Sequence, residues 1–127
     1  MARFSTIALG AAAFGLAVSS AASAHPKLTA STPANGAVVS NLRSLSLNFS
    51  EKLVPAFSGG KLVMTAMPGM QGHRPMAVPV EASVAGNGRT LMLTSKTRLQ
   101  PGTYKLDWRV VSSDTHPVTG SLSFKVR

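Results

Sequence analysis

From residue 44 onward the apolar residues keep a period of two. "SLSLNFS" (44–50) sets Leu45, Leu47 and Phe49 on one side of the chain. "TYKLDWRVV" (103–111) does the same with Tyr104, Leu106, Trp108 and Val110, and "SLSFKV" (121–126) with Leu122, Phe124 and Val126. Successive side chains of a strand point to opposite faces, so each stretch is a strand with one buried face. "KLVMTA" (61–66), "MAVPVEASV" (76–84) and "RTLMLTS" (89–95) add further strand candidates. Between them stand turn clusters: "SGG" before residue 61, "GNG" (86–88) and "QPG" (100–102). No amphipathic helix period interrupts the series. Short, regularly spaced strands of this kind predict an all-β domain, a Greek-key sandwich or barrel. There is no internal repeat, linker or low-complexity tract.

The N-terminus follows a different rule. Arg3, the apolar run "IALGAAAFGLAV" and the small-residue stretch ending Ala22-Ser23-Ala24 have the three parts of a secretory signal. The run is short against the roughly 20 residues that a spanning helix needs. Cleavage is expected between Ala24 and His25. This divides the chain into a signal peptide (1–24) and one domain (25–127). No later apolar run is long enough to cross a membrane as a helix, so the processed chain is not expected to span one.

Composition narrows the chemistry. The chain has no cysteine, which excludes disulfides and thiolate metal sites and leaves methionine as its soft ligand. It carries 13 Lys+Arg against 4 Asp+Glu, a formal net charge of +9. These charges are spread singly and aromatics are few, a pattern of a solvated cationic surface and not of a nucleic-acid site. The charge favours approach to an anionic membrane surface or an acidic partner.

Three places offer chemistry. After cleavage His25 carries both an imidazole and a free α-amine, which together chelate one metal ion. Pro26 has no backbone N–H, so the chelate stops at two nitrogens and needs further ligands from the fold. The other reading of His25 is a solvated terminal residue. The second place is "SSDTHPVTG" (112–120). Asp114 and His116 are two apart, and Pro117 biases His116 towards an extended backbone. On an extended segment their side chains face one way, as suits a divalent ion with nitrogen and oxygen ligands. The competing reading is an Asx-turn at Asp114 with His116 on the surface. The third place is "MTAMPGMQGHRPM" (64–76), with Met64, Met67, Met70, His73 and Met76. Pro68, Gly69, Gly72 and Pro75 exclude a helix, so these thioethers fall on a loop after a strand. Thioethers select Cu(I), and nitrogen and oxygen donors suit Cu(II); copper is the metal that uses both classes. Met64 is also a candidate for core packing. Met92, between Leu91 and Leu93, is assigned to packing alone.

"HPKL", "STPANGAVV", "LNFSEKLVPAFSGGKLVMTAMPGM" and "GTYKLDWRVVSSDTHPVTGSLSFKV" resemble the CopC family of periplasmic copper-resistance proteins over essentially all of residues 25–127. The resemblance implies a cupredoxin-like Greek-key β-fold. It implies a Cu(II) site made of His25, through amine and imidazole, with Asp114 and His116. It also implies a separate Cu(I) site in the Met-rich loop: Met64, Met67, Met70 and Met76, with His73 as a further candidate. "MQGHRPM" is slightly longer than the family segment, which sets His73 and Met76 apart from the first three methionines. The expected function is periplasmic copper sequestration and delivery in copper resistance or homeostasis, without catalysis. An inner-membrane partner of the CopD type is implied with it. Two rivals remain. One is a copper-brace enzyme resembling lytic polysaccharide monooxygenases, which also use an N-terminal histidine. The other is a metal-free β-sandwich interaction module.

Overall fold

The computed structural model describes Gly10, Gly15 and residues 25–70 and 74–127. The expected signal peptide, apart from those two glycines, and His73 lie outside the described residues. Among the described residues nine strands form two sheets. They are β1 (Leu28–Thr32), β2 (Val38–Val39), β3 (Ser44–Phe49), β4 (Gly59–Ala66), β5 (Met76–Val78), β6 (Glu81–Ala85), β7 (Thr90–Thr94), β8 (Gly102–Val111) and β9 (Pro117–Val126). A single 3-10 turn, Pro55–Phe57, precedes β4. One sheet has the order β1-β3-β7-β6 and the other β2-β9-β8-β4-β5. The expected β-fold is therefore a sandwich of two sheets and not a closed barrel. Among the described residues no helix is long and apolar enough to cross a membrane.

The core is where the period-two pattern places it. Leu45, Leu47 and Phe49 of β3 and Leu91 and Leu93 of β7 face Leu62 and Met64 of β4 across the sandwich. Tyr104, Leu106, Trp108 and Val110 of β8, with Leu122, Phe124 and Val126 of β9, complete it. Each such side chain contributes about 1.5–3 kcal/mol by leaving water. Tyr104 stacks on Phe124 at 5.3 Å and donates its hydroxyl to the Gln100 carbonyl at 2.6 Å. Burial pushes that hydroxyl above the usual phenol range.

Trp108 has the tightest seat. Its indole lies edge-on to Phe49 at 5.1 Å. Its two partners in register are Gly60 on β4 and Gly120 on β9. A Cβ at Gly120 would stand 2.2 Å from an indole carbon, so only glycine leaves room for the ring.

Three features depart from the sequence expectation. "MAVPVEASV" is two strands, not one: β5 pairs with β4 and β6 pairs with β7, so the chain changes sheets at Pro79 and Val80. Proline lacks the N–H that a continuing ladder needs there. The strand "KLVMTA" begins earlier, at Gly59. Strands β1 and β2 were not signalled, because "LTAST" and "VV" lack an alternating apolar pattern.

Candidate metal centre

Strands β8 and β9 form a hairpin that pairs from Gly102↔Val126 to Val111↔Pro117. Its tip is the segment Ser112 to His116, closed by a bond from the Thr115 N–H to the Ser112 carbonyl at 3.0 Å. Asp114 organises the tip with one carboxylate oxygen. Its Oδ1 accepts from the Ser112 hydroxyl and from the His116 backbone N–H, each at 3.2 Å. Thr115 sits in the left-handed region at φ 63. That conformation costs a β-branched residue about 1–3 kcal/mol and is found disproportionately at functional sites.

An extended segment would put Asp114 and His116 on one side of the chain. The structure brings them together differently. The segment is a tight turn, and the left-handed Thr115 with the Asp114–His116 bond turns the two side chains to one place. The Asx-turn is present on Oδ1 of Asp114, while Oδ2 lies toward both imidazoles.

His25 arrives from the other sheet. Pro26 is fully buried. Lys27 is tied to the end of β3 through its N–H to the Ser50 hydroxyl and its carbonyl from the Ser50 N–H, both at 2.9 Å. Leu28 then begins β1 opposite Phe49. A bridge between Leu53 and Ser112 brings the following loop against the hairpin tip. With Pro26 and Lys27 fixed, His25 is held where its Nδ1 lies 2.6 Å from Asp114 Oδ2. His116 Nδ1 lies 3.9 Å from the same oxygen, and the two imidazoles are 5.8 Å apart. One donor atom from each of His25, Asp114 and His116 falls within 4.8 Å of the others. Two donors each about 2.0 Å from one ion lie about 2.8 Å apart at a right angle and about 4 Å apart when opposite. The two spacings to Asp114 Oδ2, 2.6 and 3.9 Å, lie near that range. The side chain of His116 is 75% exposed and that of Asp114 17%, so the cluster opens to solvent on the histidine side.

The methionines lie at the far end of the same sheet. Met64 is in the core on β4, opposite Met76 of β5 in register. Met67 is half-buried and bridges to Met70 across a turn at Pro68 and Gly69, where Gly69 has φ 76. Met64, Met67 and Met76 line one cavity of about 200 Å³ with Leu99 and Tyr104. Met70 is outside that lining and 53% exposed. The structure thus groups Met76 with Met64 and Met67, although sequence reasoning had set it apart. Met64 on β4 and Met76 on β5, twelve residues apart in sequence, are brought opposite each other by strand pairing, which spacing along the chain does not reveal. Met92 is half-buried on β7, facing away from the core partners Leu91 and Leu93. The hairpin tip and the Met64–Tyr104 pair are separated by seven residues of β8, roughly 20 Å or more at strand rise.

The CopC domain family matches residues 28–127. The chain is 56% identical over 115 residues to copper resistance protein C of Pseudomonas syringae pv. tomato, covering 91% of this chain and 90% of that protein. It is 50% identical over 109 residues to copper resistance protein C of Xanthomonas campestris pv. juglandis, covering 86% and 85%. Among solved structures it resembles PcoC, a methionine-rich copper resistance protein from Escherichia coli. That match has a TM-score of 0.75 and 41% identity, over 82% of this chain and 100% of that one.

Proposed function

The chain belongs to the CopC family, and on that premise we propose that it is a periplasmic copper-binding protein that sequesters copper and hands it on in copper resistance or homeostasis. The observation that carries this reading is the convergence of His25, Asp114 and His116 from two sheets onto one place. Two imidazoles and a carboxylate are the donors Cu(II) prefers. On the chain that begins at His25, the α-amine adds a third nitrogen. A second site, for Cu(I), is assigned to Met64, Met67 and Met76 around their shared cavity, with Met70 on the adjoining turn and His73 as a further ligand candidate. Relatives named for copper resistance support the cargo. An expected inner-membrane recipient of the CopD type belongs to the same reading.

No catalytic role is assigned. A copper held by His25 and His116 would also meet the Asp114 carboxylate, which lies 2.6 Å from His25 Nδ1, and would have that position filled instead of open to oxygen. Separation of the two ligand sets along β8 also bears on mechanism. Copper changing oxidation state cannot step directly across roughly 20 Å, so exchange between the sites proceeds by release and recapture or through a partner.

Paired variants test the division of labour. Met67→Leu with Met76→Leu keeps side-chain volume and is expected to cost under about 1.5 kcal/mol per site in stability. It should weaken Cu(I) binding by about tenfold or more while leaving Cu(II) binding unchanged, because only the soft donors are lost. His116→Ala should do the reverse. Competition with a Cu(I)-specific and a Cu(II)-specific chelator reads the two separately. Unchanged Cu(I) affinity in the double methionine variant would sink the soft-site assignment.

A further inference from the structure

Strand cations are distributed unequally between the two sheets. The strands contain four Lys or Arg residues: Lys61 on β4, Lys105 and Arg109 on β8, and Lys125 on β9. All four are in the five-stranded sheet and exposed. They alternate with core residues, so they share its outer face, where the one carboxylate is Asp107. Asp107 lies 3.6 Å from Lys105. Strands of the other sheet carry no cation, and their single charge is Glu81.

That face is also hollowed. A groove of about 690 Å³ runs over it, walled by Phe57 and floored by the strands around Gly59, Trp108 and Gly120. Lys61, Asp107 and Arg109 line it. Phe57 is 64% exposed, more than any other large apolar residue exposed on the described surface. It stands on the 3-10 turn with no part in the core. The groove ends beside the hairpin tip. Arg109 pairs with Thr119 two register steps before the closing pair Val111↔Pro117, about 7 Å along the strand. A bound chain there would lie next to Asp114 and His116.

We infer that this groove is a docking surface for an acidic segment of a partner protein, its carboxylates on Lys61 and Arg109 and an apolar side chain against Phe57. The inference rests on the carrier reading only for what the partner receives; the surface itself needs no metal. A chain fills a hollow, and its backbone N–H groups can donate to Asp107. A planar anionic bilayer touches the rims and brings phosphates onto Asp107, so the peptide is the better fit. Lys105 and Lys125 continue the positive field along the sheet and steer approach.

The test uses the metal-free chain from His25 to Arg127, which contains every strand described. The probe is a short synthetic glutamate-rich peptide with one phenylalanine, followed by the emission of Trp108, the only tryptophan. Wild type should bind it with an affinity that falls as salt rises. Lys61→Glu with Arg109→Glu should weaken binding by about tenfold or more, and the corresponding Gln pair by less. Phe57→Ser should weaken it without changing the salt dependence. Arg89→Glu with Lys96→Glu makes the same change in net charge away from this sheet and should change binding by under about threefold. Thermal melts confirm that each variant is folded. Equal losses in the two Glu pairs, or no binding by wild type, would overturn the inference. So would binding to phosphatidylglycerol vesicles, abolished by Lys61→Glu/Arg109→Glu, in the absence of peptide binding. Copper titrations of the same variants should match wild type, so failure of the docking surface and failure of the copper sites are read apart.

Discussion

Asp114→Ala is expected to bind Cu(II) about a hundredfold more weakly than wild type, the largest loss from any single substitution that leaves His25 in place. The residue has two duties that fall on different atoms. Oδ2 faces His25 Nδ1 at 2.6 Å and is the proposed carboxylate donor. Oδ1 accepts from the Ser112 hydroxyl and the His116 N–H and shapes the tip that presents His116. Alanine removes both duties. Asp114→Asn separates them, since its amide oxygen can still accept those two bonds while the anionic donor is gone. If Asn keeps nearly wild-type affinity, Asp114 acts through the shape of the hairpin alone. If Asn loses most of what Ala loses, the carboxylate is itself a ligand, and that is the expected result. Competitive titration of the two variants against one chelator decides between them.

Gly120→Ala should be the most destabilising small substitution in the molecule, by about 3 kcal/mol or more. The added carbon would lie 2.2, 2.6 and 2.9 Å from three indole carbons of Trp108. None of these contacts is with the end of a flexible chain. The ring is fused and rigid, and Phe49 packs edge-on against it. Relief requires the indole to leave its seat or β9 to separate from β8. For a domain of this size the loss corresponds to a fall in melting temperature of more than about 10 °C. Gly36→Ala is a useful comparison. Gly36 has φ 81, so alanine is strained there, but nothing lies within 4 Å of its added carbon. Its cost should be nearer 1 kcal/mol. A calorimetric melt of Gly120→Ala within a few degrees of wild type would contradict the description of the Trp108 seat.

The parts of the fold that were legible are those where burial is one-sided. Leu45, Leu47 and Phe49, or Tyr104 through Val110, alternate because one face of each strand meets the other sheet. Strand β1 was not legible because it lies at a sheet edge, and its residues from Leu28 to Thr32 are exposed or half-buried with no apolar rhythm. The break at Pro79 was visible as a proline, but that it carries the chain into the other sheet depends on pairing partners. The residues of the candidate metal centre were legible as types. Their geometry was not, because it depends on a left-handed Thr115 and on the clamp between Lys27 and Ser50. The groove beside Phe57 left no local signal. Its cations, Lys61 and Arg109, stand on different strands, and only the register gathers them on one face.

One comparison bears most directly on the copper-carrier account: competitive Cu(II) titration at neutral pH of the chain beginning at His25 and of the same chain with one residue added before it. In the first, His25 offers its amine and imidazole together, with Asp114 and His116 already in place. In the second, the amine is a peptide nitrogen and the imidazole stands alone. The account predicts one Cu(II) per chain in the first form, bound at least about a hundredfold more tightly than in the second. Equal affinity in the two forms would contradict it, because the free amine of His25 would then have no part in holding the metal.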